Sequence, residues 1–105
     1  MARPFNHPAV GDISLDNVLH ALSDPMRRDI VRKLMDGEGR SCIGACAAAP
    51  PSTISFHHKI LREAGLIRSE KKGVEVISTL RRHDIDARFP GLLDAIFREN
   101  TPPLP

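Results

Sequence analysis

Residues 52–80 read STISFHHKILREAGLIRSEKKGVEVISTL, and the apolar period changes partway through them. From about Ser52 to Ala64 the pattern is helical. Ile54, His58 and Leu61 fall on an inward face, while Ser52, Ser55, Phe56 and Lys59 share another at i, i+3, i+4 and i+7. Gly65 supplies a left-handed C′ position and Leu66 the apolar C″ contact that closes such a helix. Beyond Gly65 the period falls to two. Leu66–Glu70 and Val74–Leu80 read as strands, joined through Lys71-Lys72-Gly73 as a hairpin.

Working outward, Ser14 can cap a helix carrying Leu15, Val18, Leu19 and Leu22. Asp24-Pro25 caps and opens a second, with Met26, Ile30, Val31 and Leu34 apolar and Gly37 and Gly39 at its end. Ser41 can cap a third, from Cys42 to about Ala48, which Pro50-Pro51 breaks. Asp84–Arg98 is a last helical stretch, divided at Phe89-Pro90-Gly91. The order α-α-α-α-β-β-α makes a mostly α chain with a small β-hairpin, an α+β winged helix-turn-helix. Its second paired helix enters the major groove and its wing touches the flanking backbone. The domain is expected over 13–98, between a loose tail at 1–12 and a proline-rich one at 99–105.

Charge agrees with this reading once it is localised. The whole chain carries only +2, but residues 52–82 carry seven basic and three acidic side chains. Phosphate attraction is the sequence-independent part of DNA affinity, and it is concentrated on the helix and hairpin. A run of charge by itself is usually a solvated face. At 105 residues there is room for one domain with a modest core, and dimerisation is a common way to hide more surface. No apolar run reaches membrane-spanning length and the start lacks a signal-like apolar core, so a cytoplasmic location is expected.

Three segments, LHALSDPMRRDIVRKLMDG (19–37), STISFHHKILREAGLIRSEKKG (52–73) and LRRHDIDARFPGLLDAIF (80–97), together resemble the arsenic-repressor (ArsR/SmtB) family of small winged-helix regulators. The likeness spans about three quarters of the chain. It implies a homodimeric repressor that leaves its palindromic operator in double-stranded DNA when an inducer binds; nothing in the sequence names that inducer. The implied DNA contacts are Ser52, Thr53, Ser55, Phe56, His57 and Lys59 on the helix, with Arg68, Lys71 and Lys72 on the wing. Phe56 stands where many relatives are polar; it can meet a thymine methyl or pack on the neighbouring domain. His57 can contact DNA, or cap or pack instead, and His58 reads as a satisfied core histidine. Leu15, Val18, Leu19, Phe89, Leu92, Leu93, Ile96 and Phe97 are the expected dimer interface.

Neither metal set of that family carries over. The places of its Cys-x-Cys pair fall on Gly39 and Ser41, and His83 is the only histidine in the C-terminal region. No metal and no cofactor is therefore expected. Cys42 and Cys46, at i and i+4, are either small packing residues or a thiol sensor; helical Cβ atoms roughly 5–6 Å apart exceed the roughly 3.5–4.5 Å of a disulfide. An enzyme is not expected, since no phosphate loop, nucleophile elbow or HExxH helix occurs. A winged helix used only for protein docking is the alternative, motivated by Phe56 and by the acidic Glu70 and Glu75 in the wing.

Overall fold

The structure is a computed structural model that describes residues 5–41 and 50–98. Cys42, Cys46 and the expected third helix lie outside the described residues, as do positions 1–4 and 99–105. Among the described residues, five α-helices and three strands follow in the order α1 (Leu15–Ala21), α2 (Pro25–Leu34), β1 (Arg40–Ser41), α3 (Pro51–Ala64), β2 (Ile67–Lys72), β3 (Glu75–Leu80), α4 (Arg82–Arg88) and α5 (Leu92–Phe97).

The helix ends follow the local chemistry of the sequence. Ser14 Oγ accepts the Asn17 N–H at 3.1 Å, and Asp24 accepts the N–H groups of Met26 and Arg27 at 2.9 and 3.1 Å. Each bond satisfies a donor that has no intrahelical partner. Burial works to raise the Asp24 carboxyl pKa, but the Arg27 N–H and guanidinium outweigh it and hold the group below the usual range. At the end of α3, the Leu66 N–H reaches the Leu61 carbonyl and the Gly65 N–H that of Arg62, both at 3.0 Å. This is a complete Schellman closure, with Gly65 at φ +86°.

The sheet order is β1-β3-β2, antiparallel throughout. Register places Lys72 opposite Glu75, so Gly73-Val74 is a two-residue turn with Gly73 at φ +63°. Lys71 and Lys72 therefore belong to β2, not to the turn expected from sequence. β1 is also additional: Arg40 and Ser41 pair with Ser78 and Ile77, where a helix cap was expected at Ser41.

One core unites these elements. Val18, Ala21, Ile30, Val31, Leu34, Ile54, Leu61, Leu66, Ile67, Ile85, Leu93 and Phe97 are buried together. Val18, Leu93 and Phe97 were expected in a dimer interface, but their side chains fill the core of their own chain. Inside the sheet, Ser69 and Ser78 face each other across the strands and share a 2.8 Å hydrogen bond, so this buried polar pair is satisfied.

Residues 5–12 are not the loose tail expected. The Arg62 guanidinium lies over the Phe5 ring with its Cζ 4.4 Å from the ring centroid, and Pro8 O accepts from Arg81 at 2.8 Å. His7 Nε2 accepts the Ser69 N–H at 3.0 Å, covering an outward donor on the edge strand β2. Ile13 closes the segment, buried against the end of α3. A Cβ on Gly65 would lie 2.5 Å from Ile13 Cγ1, in a backbone region that L side chains rarely adopt. Gly65→Ala should therefore destabilise the protein by roughly 2 kcal/mol or more, read as a lower urea midpoint at unchanged slope.

Candidate nucleic-acid interface

α3 has two chemically distinct faces. Ile54, His57, His58, Leu61 and Ala64 point inward and are buried. Ser52, Ser55, Phe56 and Lys59 are exposed together on the outward side, with Thr53 half-buried at its edge. No side chain caps the start of α3, where Pro50 is the N-cap and Pro51 opens the helix. That end presents the positive pole of the helix dipole beside the two hydroxyls.

The wing extends beyond α3. Alternation along β2 buries Ile67 and Ser69 and exposes Arg68, Glu70 and Lys72, and Lys71 is exposed as well. Val74 stands at the tip, 98% exposed.

The basic total of residues 52–82 divides into two groups. Arg81 is buried, donating to Asp84 Oδ2 at 2.9 Å and to Pro8 O. Arg62 stacks on Phe5, and Arg82 bridges Asp86 and Asp94 at 3.4 and 2.5 Å. These three cations hold the fold together. Lys59, Arg68, Lys71 and Lys72 are the exposed ones.

His57 does not join the outward set. It is 8% exposed, and its Nδ1 accepts from Arg27 Nη1 at 3.2 Å. Because an arginine can only donate, the His57 ring proton sits on Nε2. Arg27 is itself buried and donates to Ala21 O at 2.7 Å and His20 O at 3.4 Å. It thus joins the end of α1 to α2 and α3. The sequence reading missed this role for Arg27. For His57, the signal was the spacing: Ile54, His57, His58 and Leu61 stand at i, i+3, i+4 and i+7, the same inward stripe.

His58 is fully buried, as a core histidine should be, and its Nδ1 donates to Ile54 O at 2.9 Å. Its Nε2 has no partner among the described residues. Burial lowers its pKa below 6.5, against the opposing pull of the Ile54 carbonyl. The neutral ring is therefore the form the fold accepts. Below about pH 6.5 the unfolded chain takes up a proton that the folded chain refuses, so stability falls on acidification. Thermal melting between pH 7.5 and 5.5 should show this loss, and His58→Leu should flatten it. An equal slope in the variant would contradict the assignment. No group of three or more metal-ligating side chains occurs among the described residues.

A helix of this polarity followed by a basic ribbon defines a winged helix-turn-helix, and comparisons with known proteins agree. A helix-turn-helix domain family matches residues 22–70. An uncharacterized HTH-type transcriptional regulator, YceK of Bacillus subtilis (strain 168), is 34% identical over 82 residues, covering 75% of this chain and 82% of that protein. A solved structure described as a possible transcriptional regulator for arsenical resistance aligns with a TM-score of 0.60 and 29% identity, over 83% of this chain and 85% of the other. The transcriptional repressor BigR from Xylella fastidiosa shares the fold at a TM-score of 0.64 and 23% identity, over 81% and 84%. The chain belongs to the helix-turn-helix transcriptional regulators, and it shares its winged-helix fold with a solved structure described as an ArsR family transcriptional regulator, at a TM-score of 0.64 and 20% identity over 85% of this chain and 93% of the other. It is a DNA-binding regulator, not an enzyme.

Proposed function

We propose that this regulator is a cytoplasmic homodimeric repressor of its own operon, with α3 in the major groove and the β2–β3 wing on the flanking phosphates. The observation that carries the reading is the outward face of Ser52, Ser55, Phe56 and Lys59 beside the exposed cations Arg68, Lys71 and Lys72. Hydroxyls and an ammonium suit base edges and phosphates, and the ribbon cations suit the backbone. Glu75, directly across from Lys72, tempers the attraction at the wing tip.

Dimerisation is supported by apolar surface that the single chain leaves uncovered. Leu15 and Leu19 of α1 are 43% and 45% exposed, and Phe89, Leu92 and Ile96 are half-buried. With Val18, Leu93 and Phe97 committed to the core, these five side chains are the remaining interface candidates. A two-fold dimer would present two α3 helices to successive major grooves about 34–36 Å apart, matching a palindromic operator. Leu15→Glu with Leu19→Glu should shift the chain to monomer in sedimentation, with far-UV circular dichroism unchanged.

Binding to the DNA upstream of its own gene tests the reading. Log affinity should fall with log salt by roughly 0.9 per phosphate contact, and Lys71→Ala with Lys72→Ala should reduce that slope by about two. The double variant should weaken binding to all sequences about equally. A flat salt dependence, or binding that the double variant leaves unchanged, would contradict it.

A further inference from the structure

The large apolar side chains exposed among the described residues are Val10, Leu15, Leu19, Phe56 and Val74. Phe56 differs from the others in its setting. It projects from the middle of the outward face of α3, 57% exposed, with Ser52, Ser55 and Lys59 exposed around it. The ring is not loose. It leans on the His57 imidazole with centroids 5.6 Å apart and planes tilted by 59°, and His57 is fixed from behind by Arg27. The chain thus holds a phenyl ring ready on a polar helix face and does not bury it.

The surroundings identify what covers it. A protein partner would favour a contiguous apolar patch, whereas this ring is isolated among hydroxyls and an ammonium. The major groove of DNA has the complementary pattern: polar base edges and phosphates, with one apolar group, the C5 methyl of thymine. Resting on the recognition-helix reading above, we infer that Phe56 is a specificity-determining residue that packs on a thymine C5 methyl in each half-site. Ser52, Ser55 and Lys59 make the polar contacts around it. Because the ring is already oriented, little side-chain entropy is lost on binding.

The test pairs a protein change with a single-methyl change in the DNA. A site is selected from randomised duplexes with the wild-type protein, and each thymidine is then replaced singly by deoxyuridine, which removes only the methyl. Wild type should lose about fourfold in affinity at one thymine of each half-site, the worth of roughly one buried methyl. Phe56→Ala should be weaker on the parent site and indifferent to uracil at that same position, while the smaller effects elsewhere persist. Its circular dichroism and melting should match wild type; were they not to match, the uracil scan of the wild-type protein alone still decides. Tolerance of uracil at every position would overturn the thymine contact while leaving the recognition helix intact. A Phe56→Ala variant that keeps the full uracil penalty would do the same. Failure of the wild type to select any sequence would overturn both readings. Unchanged DNA affinity in Phe56→Ala with loss of a protein partner would assign the ring to protein docking instead.

Discussion

A single buried guanidinium ties the reading head together. Arg27 sits in α2, takes two carbonyls from the last turn of α1 and donates to the His57 ring on α3. A buried cation is costly unless its donors are satisfied, and here the bonds reach both the end of α1 and the His57 ring on α3. Taking away the guanidinium would strand the Ala21 carbonyl and the His57 nitrogen together, while the His20 carbonyl keeps its bonds from Ser23. The angle of α3 is thus coupled to a specific polar contact as well as to the packing of Ile54 and Leu61. The outward face of α3 inherits that rigidity, because Phe56 leans on the same histidine.

Around this centre, charge is used in two ways. Arg62, Arg81 and Arg82 connect the N-terminal segment, the wing and the last helices to one another. Lys59, Arg68, Lys71 and Lys72 remain in solvent, where long-range attraction to phosphate is effective. His7 shows how close the two sets lie. Burial, then the neighbouring charges of Arg68, Arg81 and Arg62, lower its pKa, which keeps the ring available to accept the Ser69 N–H. The edge of the wing is thereby blunted by the chain's own N-terminal segment.

Much of this was legible in the sequence where the governing interactions are local. The caps at Ser14 and Asp24, the closure at Gly65-Leu66, the hairpin and the break at Phe89-Pro90-Gly91 all depend on residues within a turn of one another. Interactions between distant residues were not legible. His7 meets Ser69, and Arg40 meets Ser78, across long stretches of chain, and a two-residue strand has no period to detect. Periodicity also sorts apolar from polar without showing that two polar groups satisfy each other inside, which is why Arg27 was missed and His57 was expected in the groove. The apolar stripes of α1 and α5 serve two surfaces at once, so spacing alone could not separate Val18, Leu93 and Phe97 from Leu15, Leu19, Leu92 and Ile96.

Nuclear magnetic resonance during titration with a selected duplex tests the central claim most directly, since it maps contact without altering any residue. The account requires the largest backbone amide shifts at Ser52–Lys59 on α3 and at Arg68–Lys72 on the wing, with the exposed face of α1 little changed. Shifts concentrated on α1 and α5, with α3 and the wing silent, would contradict it.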